Sequence, residues 1–322
     1  MEYRRMGRSG LKLSAISLGA WVTFGNQIDD DTARAILLRA YELGVNFFDN
    51  ADIYAGGKAE SVMGKIIADL PREALVVSSK VFWPTLPGVN GRGLSRKHIM
   101  ESCHGSLRRL GSEYLDLYFC HRYDPETPVD EVVRAMDDLV RQGKVLYWGT
   151  SEWRAWQLGE AYAHARQGGL YPPAVEQPEY NLLARRIVEG ELVQASQDFG
   201  FGLVTWSPLR SGVLSGKYAQ GIPAGSRMAT KGYEWLRDLM TEEALGTARR
   251  MGALADELGV TLPQLAIAWL LRLPQVTSVI TGATRLEHVD DNVRALEALP
   301  LLTPEVLERI EAILGDRPTE KD

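Results

Sequence analysis

Asp49, Tyr54, Lys80 and His121 are spaced along the chain as though most of them closed a different apolar run. Asp49 ends Val45-Asn46-Phe47-Phe48-Asp49, Lys80 ends Leu75-Val76-Val77-Ser78-Ser79-Lys80, and His121 ends Leu115-Asp116-Leu117-Tyr118-Phe119-Cys120-His121. Tyr54 follows Asp49 through Asn50-Ala51-Asp52-Ile53, a stretch long enough to turn the phenol back beside the carboxylate. The runs are β-prone, and ionisable side chains at the carboxyl ends of successive parallel strands converge on one face. A free tyrosine, with a pKa of about 10, holds its proton too tightly to be an efficient acid at neutral pH. A nearby ammonium favours the phenolate, and an aspartate bonded to that ammonium keeps it charged and aimed. His121 would donate to the same oxygen that Tyr54 protonates. The set therefore describes proton delivery to a carbonyl oxygen. Nothing in it supplies reducing equivalents, so the chemistry needs a bound hydride donor.

The elements that must position these groups follow a regular alternation. Strand candidates fall at 14–18, 45–49, 75–80, 115–121, 145–151, 174–177, 202–207 and 276–281. Helix patterns lie near 32–43, 60–68, 96–110, 130–141, 153–166, 187–199, 264–271 and 286–296, with one more at 304–314. Gly44 and Gly111 stand just past helix ends, and Asp29-Asp30-Asp31 is placed to cap the first helix. Eight parallel strand–helix units predict a single (β/α)8 TIM barrel of the α/β class, one domain over residues 1–322. A Rossmann sheet would need a glycine-rich turn after the first strand, and Leu18-Gly19-Ala20-Trp21-Val22 is not one. Residues 4–13 read as a small N-terminal β-hairpin. Residues 210–241, after strand 7, form a long glycine-rich loop carrying Lys217, Arg227 and Trp235, the composition of a lid or ligand clamp.

Composition narrows the partners. A formal charge of −6 argues against a general nucleic-acid binder or an anionic-membrane binder. Cys103 and Cys120 form no disulfide framework and lack metal spacing, and Cys120 sits in an apolar run. His98, His104 and His164 lie in helix patterns without ligand partners, so no metal site is expected. Residues 1–5 lead into no apolar signal core, and no apolar stretch is long enough to span a bilayer. The expectation is a cytoplasmic protein without membrane insertion. Trp148 and Trp269 read as core, whereas Trp83 and Trp235 are candidates for substrate contact.

Several longer motifs stand in order along the chain: Gly19-Ala20-Trp21-Val22-Thr23-Phe24-Gly25, Phe48-Asp49-Asn50-Ala51-Asp52-Ile53-Tyr54, Gly93-Leu94-Ser95-Arg96-Lys97-His98-Ile99, Tyr147-Trp148-Gly149-Thr150-Ser151, Thr205-Trp206-Ser207-Pro208-Leu209 and Leu262-Pro263-Gln264-Leu265-Ala266-Ile267-Ala268-Trp269. With them the chain resembles an aldo-keto reductase over essentially its whole length. It is most similar to the branch containing the β subunits of voltage-gated potassium channels. The resemblance places the family's catalytic tetrad on Asp49, Tyr54, Lys80 and His121. In the channel subunits the last position is commonly Asn, so His121 follows the reductase pattern.

The same resemblance implies a cofactor, NADP(H), with NAD(H) as the alternative. Trp206 would stack on the nicotinamide, and Ser151 and Gln177 would bond its carboxamide. Ala20, Trp21, Gln27 and Asp49 would line the mouth. Ser207, Pro208, Leu209, Arg210, Ser211 and Lys217 would follow the pyrophosphate, and Arg227 the adenosine side. Gly282, Thr284, His288, Asp291 and Asn292 would hold phosphate after the eighth strand. Two positions depart from the pattern. His288 stands where many members have Arg, a stronger phosphate partner, and Glu152 stands where the channel subunits have Arg. The implied activity is NADPH-dependent reduction of a small aldehyde or ketone. The rival is a cofactor-binding, redox-sensing auxiliary subunit of a membrane protein, and relatives imply a homotetramer. A cofactor-free hydrolase or lyase is disfavoured by Trp206-Ser207-Pro208-Leu209 and by the missing metal ligands.

Overall fold

Alternation with a period of two decides which side of each strand enters the barrel. In the computed structural model, which describes residues 1–315, β1 (Tyr3–Arg5) and β2 (Lys12–Ser14) pair as an antiparallel hairpin. The strands β3 (Ile16–Gly19), β4 (Phe47–Asp49), β5 (Val76–Val81), β6 (Leu115–Cys120), β7 (Val145–Ser151), β8 (Val175–Gln177), β9 (Gly202–Thr205) and β10 (Val276–Thr281) then close a parallel barrel, β10 returning to β3. Phe47, Val76, Leu117, Phe119, Val175 and Val204 fill its interior, with Met6 and Leu13 of the hairpin segment in the same cluster. Asp49, Lys80, His121 and Gln177 stand an even number of residues beyond these inner side chains, so the pleat aims them inward at the carboxyl end. Residues 316–322 of the expected domain lie outside the described residues.

The helices α1 (Asp30–Glu42), α2 (Lys58–Ile67), α3 (Arg96–Leu110), α4 (Val129–Arg141), α5 (Ala155–Gly168) and α6 (Val193–Phe199) cover the outer face, where the larger apolar cluster gathers. Asp29 caps α1, its carboxylate accepting from Thr32 N at 2.7 Å. Gly111 ends α3 at φ +63°, a left-handed conformation that favours glycine. The helix expected at 187–199 begins with a wider π-type turn, Val188–Leu192, before α6. Trp148 and Trp269 are buried, as expected.

One helix escaped the sequence reading. α7 (Glu242–Glu257) intervenes before α8 (Leu262–Leu271), α9 (Leu286–Ala298) and α10 (Pro304–Leu314). Its inner face is Ala244, Thr247, Ala248, Met251, Leu254 and Ala255, in which the large apolar residues come only in the second half. The long segment before it is also more ordered than a loop. It holds three short 3-10 turns, and Val213, Tyr218, Met228 and Leu236 form a buried cluster of their own. Residues 219–225 are its longest unbroken exposed stretch. Among the described residues no single helix is long and apolar enough to cross a membrane. α7 and α8 are long and apolar enough only when taken together, and the chain bends by 92° between them.

Candidate active site

Lys80 is fully buried and makes three contacts from one ammonium. Its Nζ donates to Asp49 Oδ2 at 2.6 Å, to Asn50 O at 2.8 Å and to Tyr54 Oη at 3.2 Å. Asp49 Oδ1 accepts from Ser78 Oγ at 2.8 Å and from Gln177 Nε2 at 3.0 Å. Tyr54 opens a 3-10 turn in which Ala55 and Gly56 adopt φ +50° and +64°, folding the phenol back over the barrel mouth. Its ring meets the His121 ring edge-on at 5.8 Å. The four side chains expected to act together are thus brought together.

Burial sets their proton affinities. The Tyr54 phenol is pushed well above 10, first by desolvation and then by the charge on Asp49, while Arg122 pulls the other way. Lys80 was expected to draw this pKa down. In the structure burial outweighs the ammonium, whose charge Asp49 largely cancels at 2.6 Å. His121 is held well below 6.5 by burial, Lys80 and Arg122, so its imidazole is neutral. Burial also lowers the Lys80 pKa, against the opposing pull of Asp49. Tyr54 therefore keeps its proton at neutral pH, with a hydrogen-bond donor ready for the oxygen it leaves. His121 Nδ1 is buried and without a partner among the described residues.

Above these groups lies a cavity of about 500 Å³ walled by Trp21, Trp83, Ile53, Arg122, Tyr233 and Trp235. Trp83 and Trp235, the two candidate substrate contacts, are both on its wall and partly exposed. Ser207, Pro208, Arg227, Thr281 and Gly282 also line a second cleft of about 320 Å³, so the two spaces adjoin. Most expected cofactor residues line one or both: Trp21, Asp49, Ser151, Gln177 and Trp206 in the first, and Gln27, Leu209, Ser211, Lys217, Thr284, His288, Asp291 and Asn292 in the second.

Two do not. Ala20 is wholly buried and contributes its backbone, N–H to Asp49 O at 2.9 Å. Arg210 turns away, pairing with Glu179 at 3.1 Å and lining a neighbouring cavity. Ser207, Arg210 and Ser211 have φ of +58°, +46° and +54°, and this tight backbone redirects the arginine.

The second cleft carries an excess of positive charge. Lys217, Arg227 and Arg285 line it against Asp291. Among the described residues no carboxylate supports Arg227. Burial lowers its pKa, and only the phenols of Tyr218 and Tyr233 oppose that. Gln27 Oε1 and Ser226 Oγ are buried there without hydrogen-bond partners among the described residues. Desolvated cations and orphaned polar atoms are the features a phosphate-bearing cofactor would satisfy. Arg285 and Arg122 were missed in the sequence. Each directly follows a residue already singled out, Thr284 and His121, but adjacency alone does not tell which way a side chain points.

The Aldo/keto reductase family model matches residues 15–315. The chain is 51% identical over 322 residues, 99% of its own length and 98% of the relative's, to a "Probable voltage-gated potassium channel subunit beta" of Oryza sativa subsp. japonica. It is 50% identical, with the same shares covered, to a protein of that name from Arabidopsis thaliana. With a closed eight-stranded barrel and a match spanning nearly every described residue, the chain belongs to the aldo/keto reductase family of oxidoreductases.

Proposed function

We propose that this protein reduces an aldehyde or ketone to the alcohol with NADPH. The observation that carries the reading is the Lys80–Tyr54 contact at the floor of one cavity that adjoins a cation-lined cleft. Trp206 would hold the nicotinamide of a bound cofactor, which would supply the hydride. Tyr54 gives its proton to the carbonyl oxygen, and Lys80 Nζ stabilises the phenolate that remains. Asp49 holds Lys80 in place. His121, neutral and beside the phenol, orients the carbonyl. Lys217, Arg227 and Arg285 bind the phosphates. Carbonyl-dependent oxidation of NADPH or NADH, followed at steady state across a panel of aldehydes and ketones, is the direct test. Absence of any such oxidation would remove the reading. The cytoplasm is the proposed site of action.

A second reading is favoured by the names of both relatives. In it the barrel holds its cofactor and reports redox state to a membrane protein, and a tetramer belongs to that picture. Rapid turnover with simple carbonyls separates the two, because a sensor needs tight binding and not speed.

Cofactor preference follows from the phosphate cleft. His288 Nδ1 lies 3.4 Å from Thr284 N, and burial together with Arg285 and Lys217 lowers its pKa, so it is a weaker phosphate partner than an arginine. NADPH should be preferred over NADH by about 10–100-fold in dissociation constant, roughly 1.4–2.7 kcal/mol. Arg285→Leu should weaken NADPH about tenfold and NADH little, and His288→Arg should widen the preference. Calorimetry with both cofactors checks this, and equal or tighter NADH binding to the wild type refutes it.

The lid expectation narrows to the exposed stretch. Since Val213, Tyr218, Met228 and Leu236 anchor its flanks, residues 219–225 and Lys217 should gain most hydrogen-exchange protection when NADPH binds. Lys217→Ala should raise the cofactor off-rate, with turnover unchanged or faster at saturating cofactor. Equal protection with and without NADPH would make the segment a fixed wall.

A further inference from the structure

Glu152 follows the last residue of β7 and holds φ +62°, a left-handed conformation uncommon outside glycine. Its Oε1 accepts two hydrogen bonds, from Trp206 Nε1 at 2.8 Å and from Glu179 N at 2.6 Å. An indole has one donor and no acceptor, so the first bond uses the ring's whole polar capacity and fixes its rotation. Strained backbone recurs just past Trp206, at Ser207, Arg210 and Ser211. Asn181 Nδ2 bridges Glu179 Oε1 and Ser207 O, each at 3.1 Å. The carboxylate, the indole and both loops thus form one connected unit, and Trp206 lines the cavity beside Trp21, with ring centroids 5.9 Å apart.

Charge in this unit is lopsided. Among the described residues Arg210 is the cation bonded to Glu179, and Glu152 is bonded instead to the neutral donors Trp206 Nε1 and Glu179 N. Glu176, below them, is pushed up to about 8 by burial, with Glu152 adding to the effect, so at pH 7 it is neutral and the negative charge here is that of Glu152 and Glu179. A charge-assisted bond to the indole N–H raises the electron density of the ring, and the carboxylate behind it adds a negative potential. Both strengthen attraction for a cation stacked on the ring face.

We infer that Glu152 is a positioning residue that fixes Trp206 and biases the site toward the oxidised, cationic nicotinamide over the reduced, neutral one. This rests on the proposed stacking of nicotinamide on Trp206. By linkage, favouring the oxidised form makes the bound reduced cofactor the stronger hydride donor. Glu152 is exposed, so water screens the effect, and an exposed cation–π contribution corresponds to about two- to fivefold in affinity.

The test measures dissociation constants of NADP⁺ and NADPH by calorimetry for the wild type, Glu152→Gln, Glu152→Ala and Trp206→Leu at low ionic strength. Glutamine keeps an acceptor for the indole and removes the charge. Loss of that charge acts alike on the phosphates of both cofactors, so the ratio of the two constants isolates the nicotinamide. In Glu152→Gln the NADP⁺ to NADPH ratio of dissociation constants should rise about two- to fivefold, and the rise should shrink in high salt. Glu152→Ala should show the same rise plus a weakening of both cofactors, because the ring is no longer held. An unchanged ratio in Glu152→Gln, with Trp206→Leu losing affinity, overturns this inference alone. If Trp206→Leu binds both cofactors as the wild type does, the stacking reading falls as well.

Discussion

Tyr54→Phe should lower carbonyl reduction by about 10²–10⁴-fold while leaving NADPH affinity within about twofold. The substitution removes one oxygen and keeps the ring, so the edge contact with His121 at 5.8 Å and the cation–π contact with Lys80 at 4.9 Å survive. No other phenol receives a hydrogen bond from Lys80 Nζ. The loss should therefore appear in kcat and not in cofactor binding, and retention of more than a tenth of wild-type turnover would sink the assignment. A pH profile adds a second check. Reduction needs the protonated phenol, and burial holds that proton well above pH 10. Reduction should stay flat through neutral and mildly alkaline pH. Alcohol oxidation needs the phenolate, so it should rise with pH over the same range.

Much of this site was legible because strands alternate with a fixed period. Once Phe47, Val76 and Leu117 were inward-facing, Asp49, Lys80 and His121 had to follow them to the mouth. What was not legible involves contacts between loops, whose shape no local period encodes. The bond from Trp206 to Glu152, the turn of Arg210 toward Glu179, and the convergence of Arg285 with Lys217 all depend on several loops at once. The direction of the Tyr54 shift was misjudged for a different reason. Proximity of Lys80 was readable, but the depth of burial was not, and Asp49 cancels the charge on which that expectation relied. α7 stayed hidden because the first half of its buried face is Ala244, Thr247 and Ala248, which mark a helix face only weakly, and Met251 and Leu254 come late.

The second large effect concerns stability. Lys80→Met should destabilise the fold by about 3–5 kcal/mol, because it leaves the Asp49 carboxylate buried without its counter-charge. Lys80 and Asp49 are 0% and 3% exposed, so water offers little relief. The double variant Asp49→Asn/Lys80→Met should recover most of that loss. Asparagine still offers an oxygen to Ser78 Oγ and Gln177 Nε2, which now bond Asp49 Oδ1, and no ion is left stranded. Turnover should stay low in both, since neither retains an ammonium beside Tyr54. Urea unfolding of wild type, both single variants and the double gives the coupling energy directly. If the double variant is no more stable than Lys80→Met, the buried pair is not what Lys80 contributes to folding. Its bond to Asn50 O at 2.8 Å, which tethers the loop leading to Tyr54, would then be the stabilising contact.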